Sequence, residues 1–300
     1  MKKIAVFTDC DLDGLGTMAV FDWYTNLNVD HQICSQSNFR KTFTKWATKN
    51  RPQDFDKIYV FDLDVSQSNL DLVDHLNFTI IDHHDTHVAN KEKYQNANVI
   101  LQDYSSCCKL LYSLFKQKYP DKKLTQEQKL LILMVDDYDS YELKIKDSYN
   151  LNVIVWNYVG DRAGQFKRDF GKGFNGFNKS HRNMIHLNDK KVARILSELE
   201  VYKGTLPVSG KKYKLCATIA DKSLNEVAHH VIGEYDCDIC MVMNLRTKRV
   251  SFRKNKERIP DLDLGKIAQQ IAQGGGHVHS SGGQVTDEVL TITKMLTPAN

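Results

Sequence analysis

No apolar stretch in this chain of 300 residues outlasts Leu130–Val135, far short of the ~20 residues that a membrane-spanning helix needs. There is no internal repeat and no low-complexity tract, so solenoid, fibrous and disordered classes drop away. Met1-Lys2-Lys3 is followed by only four apolar residues before acids begin, too short a pattern for a signal peptide. Seven cysteines, an odd and irregularly spaced set, read as reduced thiols and point to a cytoplasmic protein. Cys237 and Cys240 form a C-x-x-C, but no second such pair exists and the segment Asp238–Leu245 reads as a buried strand, which argues against zinc there. The formal charge of +4 permits a polyanionic partner yet falls short of the basic footprint of a duplex binder.

What is present is a recurrence of acids where apolar runs end. Ile4–Phe7 reads as a buried strand and empties into Asp9, Asp11 and Asp13, followed by Gly14 and Gly16 and a helix-compatible run. Alternate residues of an extended chain share a side, so the three carboxylates converge past the strand's carboxyl end, where open α/β sheets place their ligands. Gathered there they repel one another unless a cation joins them or some are protonated, and Mg²⁺ or Mn²⁺ suits such oxygen ligands; the alternative is a polar turn of solvated aspartates. Lys57–Phe61 runs into Asp62 and Asp64, with Ser66 as a candidate cap for a helix through Leu72–His75. Phe78–Ile81 runs into Asp82-His83-His84, and a buried helix, Leu124–Val135, delivers Asp136, Asp137 and Asp139. Strands alternating with helices predict an α/β fold, an N-terminal doubly wound and mostly parallel sheet. Around Gly160–Ser180 the periodicity fades, and from about Leu206 a second strand-and-helix texture begins. The expected organisation is a domain over 1–178, a helical linker over 179–205 and a smaller α/β domain over 206–300.

Asp9, Asp11, Asp13, Asp62, Asp64, Asp82, His83, His84 and Asp137 together fit a two-ion cluster, in which ions ~3.5–4 Å apart share a bridging carboxylate. Mixed carboxylate and imidazole donors favour Mn²⁺ over Ca²⁺. Two cations lower the pKa of a bridging water and offset charge growing on a phosphoryl oxygen.

These motifs in this order resemble the DHH phosphoesterase family: Asp9-x-Asp11-x-Asp13-Gly14, Asp62, Asp82-His83-His84 and Asp137-x-Asp139. Ser251-x-Arg253 and Gly274-Gly275-Gly276-His277 resemble the family's C-terminal DHHA1 domain. The resemblance implies two Mn²⁺ ions, Mg²⁺ being the alternative, in a cleft between the domains. Asp9, Asp11 and Asp62 would hold one ion, and Asp13, Asp62, His83 and Asp137 the other, with Asp62 bridging. Asp82 would orient His83 and fix its tautomer, and His84 would face the scissile phosphate as donor or proton shuttle. Arg253, His277 and the backbone of Gly274, Gly275 and Gly276 would bind substrate phosphate. The chain departs from the family pattern in three places. Asp9 stands where many relatives carry histidine, the residues after GGGH are polar, and Asp136, Asp137 and Asp139 compete for the last ligand position, with Asp137 favoured.

Competing structural readings accompany these assignments. His83-His84 could be a solvated turn, Asp64 a capping residue, Arg253 the partner of an acid, and Gly274–Gly276 a loop without a ligand. Phe166, Phe170, Phe174 and Phe177, interleaved with Lys167, Arg168 and Lys172, offer a base-stacking surface or belong to the core. A DHH–DHHA1 pair of this length most resembles NrnA-type nanoRNases. The expected activity is therefore an exonucleolytic phosphodiesterase that takes short single-stranded RNA or DNA to mononucleotides, with no membrane partner and homodimerisation allowed. Alternatives are hydrolysis of cyclic or linear dinucleotide signals or of 3′-phosphoadenosine 5′-phosphate, and an inactive nucleotide-binding module.

Overall fold

The computed structural model describes residues 3–276 and 278–299, and the chain divides into two compact units, 1–185 and 186–300. The first unit is built on five strands: β1 (Ile4–Thr8), β2 (Val29–Ile33), β3 (Lys57–Phe61), β4 (Phe78–Asp82) and β5 (Asn98–Leu101). All neighbouring strands pair in parallel, in the order β2-β1-β3-β4-β5. The central strands β1 and β4 are buried throughout, because helices cover both faces, which is why they read as unbroken apolar runs rather than as alternation.

One face packs against α1 (Leu12–Thr25), whose residues are buried from Leu12 to Phe21. The other face carries α2 (Phe39–Ala47), which lays Phe39, Phe43 and Trp46 against Phe7 and Phe78. Between strands lie two single turns of helix, α3 (Leu70–Val73) and α4 (Asp85–Val88). Ser66 caps no helix; its amide and hydroxyl both donate to Asp64, and the expected helix shrinks to α3. After β5 come α5 (Cys107–Lys118), α6 (Gln126–Asp139), α7 (Ser148–Asn157) and α8 (Arg162–Phe170). Ser106 caps α5, and Thr125 with Gln128 forms a reciprocal capping box on α6. Helices α1, α5, α6 and α7 share one core, and Phe166, Phe170 and Phe174 are buried in it. These phenylalanines are core residues and offer no stacking surface.

Helix α9 (Lys179–Ser197) lies in the stretch 179–205 and runs across the division between the units. The second unit already contains Val201 in a strand. It is a seven-stranded mixed sheet in the order β10-β11-β9-β8-β7-β6-β12, made of β6 (Val201–Val208), β7 (Lys211–Ile219), β8 (Ile239–Asn244), β9 (Arg249–Lys254), β10 (Gly275–Gly276), β11 (Ser280–Gln284) and β12 (Thr297–Pro298). Among the described residues of this sheet β7 and β8 pair in parallel and the other neighbours antiparallel. The helices α10 (Leu224–Glu234), α11 (Leu264–Ala272) and α12 (Asp287–Thr293) complete it, with separate apolar clusters under α10 and under α11 with α12. All seven cysteines are free thiols, as the irregular spacing implied. Among the described residues no helix is long and apolar enough to cross a membrane.

Candidate metal centre and active site

The site grows from the carboxyl end of the parallel sheet. Thr8 ends β1, and its hydroxyl donates to the Gly14 carbonyl at 2.9 Å, holding the first turn of α1 over the strand end. Nothing larger than glycine fits there, since a Cβ on Gly14 would lie 2.3 Å from the Asp9 carbonyl oxygen. Asp11 caps α1 by accepting from the Gly14 amide at 3.0 Å, and Asp9 accepts from the Cys10 amide at 2.5 Å. Burial, with the neighbouring Asp11 charge added, raises Asp9 to about 7.

Asp13 points inward and is fully buried. Its two oxygens accept from the Cys107 and Cys108 amides at 2.6 and 2.8 Å, so the amino end of α5 grips this carboxylate. Burial outweighs that support, and with Asp11 nearby the group rises to about 6. Asp62, at the end of β3, adopts φ +57°, the left-handed region that aspartate tolerates better than most residues. That turn sets its side chain among the other acids, and burial together with Asp13 and Asp11 drives its carboxyl well above the ordinary range.

His83 joins these acids. Its Nδ1 lies 3.0 Å from the Tyr104 carbonyl, which can only accept, so Nδ1 carries the proton and the Nε2 lone pair faces inward. Nε2 is 3.5 Å from Asp13, 3.4 Å from Asp62 and 3.6 Å from Asp139. These separations exceed good hydrogen bonds, and a lone pair turned toward three carboxylates lacks positive charge at its centre. Asp13, His83 and Asp139 lie within reach of one another, and Asp62 groups with His83, His84 and Asp82 beside them; such carboxylate and imidazole donors fit Mn²⁺ or Mg²⁺ in donor chemistry. Asp11 acts electrostatically on Asp13, Asp62 and Asp139, and Asp9 interacts with Asp11 and His84, but neither Asp9 nor Asp11 joins a group of three ligand atoms within reach of one another among the described residues.

The three competing acids of α6 separate cleanly. Asp136 accepts from Ser105, Ser106 and Lys109. Asp137 accepts from the Lys144 and Ile145 amides at 2.9 and 3.0 Å and from the Ser148 hydroxyl at 2.6 Å, tying the α6–α7 loop to its helix. The carboxylate that reaches His83 is Asp139, 26% exposed and raised well above its usual range by burial and by Asp13. The geometry thus puts Asp139 in the place that sequence reasoning assigned to Asp137. Asp137 and Asp139 lie two residues apart on a helix, so they cannot share a face.

Asp82 also differs from expectation. It takes the His83 backbone amide at 2.8 Å, but its side-chain partners are His84 Nδ1 at 2.7 Å and His87 Nδ1 at 2.6 Å, while His87 Nε2 meets the Tyr94 hydroxyl at 2.7 Å. Tyr104, not Asp82, sets the His83 tautomer. Burial alone would discharge His84, yet the adjoining Asp82 carboxylate overrides it and lifts the imidazole to about 10. The same two imidazoles hold Asp82 well below the usual carboxylate range against its burial. His87 was missed in sequence; its signal was a histidine in the first turn after Asp82-His83-His84. Asp64 serves as a structural anchor, accepting from Ser66 and Thr86. Arg162, also missed, donates to the Cys10 carbonyl at 2.8 Å beneath the exposed Trp156, its guanidinium 4.6 Å from the ring centre.

In the second unit, Arg253 donates to the Ser251 hydroxyl, the Phe252 carbonyl and the Asn225 side-chain oxygen. Gly274 and Gly276 pack against strand β11: a Cβ on Gly274 would fall 1.9 Å from the Gly282 carbonyl, and Gly276 has φ +137°. Gly275 pairs with Gly282 across the same ladder. His277 lies outside the described residues.

Residues 3–135 match the family model described as the DHH family, N-terminal domain. The N-terminal unit is a DHH-family domain. No curated protein sequence matches the chain. Three solved structures similar in fold each cover 98% of this chain. An exopolyphosphatase-related protein from Bacteroides fragilis is 14% identical, with 90% of its own chain covered and a TM-score of 0.53. The pGpG-specific phosphodiesterase PggH from Vibrio cholerae is 12% identical, 96% covered, TM-score 0.53. An exonuclease RecJ bound to manganese is 12% identical, 88% covered, TM-score 0.52. With a DHH domain and the acid–imidazole cluster that its motifs assemble, the chain is a phosphoester hydrolase.

Proposed function

We propose that this protein is a metal-dependent phosphodiesterase that hydrolyses short single-stranded oligonucleotides to mononucleotides. The observation that carries the reading is the pairing of two histidines with opposite jobs on adjacent positions. His83 turns a lone pair toward Asp13, Asp62 and Asp139, while His84 is charged by Asp82 and partly exposed.

Asp13, Asp62, His83 and Asp139 would hold one divalent ion, and Asp9, Asp11 and Asp62 a second; Mn²⁺ fits the donors best. Bound there, the ions supply Lewis acidity toward a phosphoryl oxygen and toward a water. The protein's own groups do the rest. Asp62, turned into the acid cluster by its left-handed backbone, would serve both positions. Asp13 is immobilised by the amino end of α5, and His83 by the Tyr104 carbonyl, so the ligands are preorganised. His84, protonated at neutral pH, donates to a non-bridging phosphate oxygen or to the departing ribose oxygen. Asp82, His87 and Tyr94 keep that imidazole charged and oriented. The second unit, a DHHA1 domain on this reading, supplies Arg253, His277 and the backbone of Gly274, Gly275 and Gly276 for substrate phosphates.

The test is product analysis on 5′-labelled RNA and DNA of two to five nucleotides, with Mn²⁺ and with EDTA, alongside pGpG and cyclic dinucleotides. Mononucleotides released from the oligonucleotides only with metal are expected. Intact oligonucleotides beside a cleaved dinucleotide signal would overturn the substrate assignment.

A further inference from the structure

A groove of about 780 Å³ runs between the edge strand β2 and α2, from Cys10 and Ser35 at the carboxyl end of the parallel sheet back to Asp30 and Asn50, and the site described above does not use it. Cys10 lines it, and the Cys10 amide donates to Asp9, so the groove begins one residue from the acid cluster. Its far wall carries Lys41, Lys45 and Lys49, at every fourth position, two on α2 and one in the turn that follows. All three are exposed, and among the described residues none has an acid partner, whereas Arg40 on the same helix is paired with Asp71. Asp30, the acid in the wall, accepts from the Trp46 indole at 2.6 Å and is thereby tied to the protein.

Packing does not require this row. Helix α2 buries Phe39, Phe43 and Trp46, and the lysines stand away from that face. Like charges four residues apart on a helix repel one another, so the row costs the fold something and returns nothing to it. Four residues advance a helix by about 6 Å, close to the reach between neighbouring phosphates of a stretched single strand. Lysine, a point charge on a flexible stem, suits a backbone held without regard to base.

We propose that this groove binds the backbone phosphates of the oligonucleotide beyond the scissile bond, and so sets a preference for strands longer than a dinucleotide. The proposal rests on the oligonucleotide reading above, and its test separates the two. The protein with Lys41→Gln, Lys45→Gln and Lys49→Gln is compared with the parent and with a control, Lys116→Gln, Lys123→Gln and Lys129→Gln, which removes equal charge from exposed positions outside the groove.

Binding of a fluorescein-labelled RNA hexanucleotide is followed by anisotropy in EDTA across a salt series, and hydrolysis of dinucleotide and hexanucleotide is measured with Mn²⁺. In the groove variant, hexanucleotide affinity is expected to fall about tenfold or more. The slope of log affinity against log salt should shrink by about 2, near 0.7 for each phosphate that lysine no longer neutralises. Dinucleotide turnover should stay within about twofold. Unchanged hexanucleotide affinity, an equal loss in the control, or no binding by the parent overturns the groove. Should the parent bind the hexanucleotide and cleave neither substrate, the functional reading fails while the anisotropy series still decides the groove.

Discussion

Two carboxylates of one helix, Asp137 and Asp139, carry different loads, and substitution separates them. Asp137 accepts two backbone amides and a buried hydroxyl. Asparagine there presents an amino group to one set of donors and leaves a buried group unsatisfied, at a cost of about 1–3 kcal/mol. Asp137→Asn should therefore lower the melting temperature by several degrees and leave Mn²⁺ binding and per-molecule activity near the parent's. Asp139→Asn should do the reverse, keeping the melting temperature and losing about two orders of magnitude or more in kcat/KM. Calorimetry beside steady-state kinetics reads both. Equal activity losses at both positions would remove Asp139 from the ligand set. Asp62→Asn belongs with this pair: asparagine keeps the left-handed backbone and removes a carboxylate that burial strains, so the metal-free protein should be no less stable while activity collapses.

At the scale of elements, α1 is positioned by two glycines that tolerate change unequally. A Cβ on Gly16 would meet the Val135 and Cys108 side chains at 2.9 to 3.1 Å, which can shift, so Gly16→Ala should cost about 1–3 kcal/mol, less the 0.5–1 kcal/mol that alanine returns in a helix. On Gly14 the obstruction is the backbone of Asp9, and α1 itself must move. Gly14→Ala should be the more damaging, in denaturant unfolding and in Mn²⁺ affinity together. This close approach was visible in the sequence only as Asp13-Gly14 after an acidic strand end. The ends of β1, β3 and β4 were legible because these strands are apolar nearly to their termini, where the first acids therefore stand out. The half-buried edge strand β2 carries Asp30, His31 and Gln32 and has no such boundary. The α6 acids were not resolvable in the same way: which of three nearby aspartates turns inward depends on helix phase, and one residue is 100° of rotation. His87 escaped because its role comes from a bond to Asp82 that forms only when α4 folds back. The helix α8 escaped because Gly160, Gly164 and Gly171 masked its periodicity. In the second unit, short antiparallel strands such as β10 and β12 depend on pairing that no local pattern announces.

For the whole molecule, the acid cluster makes stability depend on pH in a direction opposite to that of most surface carboxylates. Asp9 rises to about 7 and Asp13 to about 6, against about 4 in an unfolded chain, so the folded state holds more protons between those values. Stability of the metal-free protein must then fall as pH rises through that window, because each deprotonation leaves a buried charge facing others. His84 acts the same way above its unfolded value of about 6.5, since its folded value is about 10 and the bound proton is a folded-state advantage surrendered as pH climbs. His229 in the second unit, lowered to about 4 by burial and by the Arg253 and Lys256 charges, acts in the opposite sense, but only below about 6.5. Between pH 6.5 and 8.5 the first two effects therefore prevail, and the melting temperature of the chelated protein should decline. Divalent ions reverse that decline, because ligands must lose protons to bind and the ion supplies the missing positive charge. The Mn²⁺-induced rise in melting temperature should consequently be larger at pH 8.5 than at pH 6.5 at equal free metal. Scanning fluorimetry with EDTA and with Mn²⁺ at the two pH values measures all four corners. A metal-free protein that gains stability with pH, or a Mn²⁺ effect equal at both, would mean that these carboxylates do not face one another around a cation site.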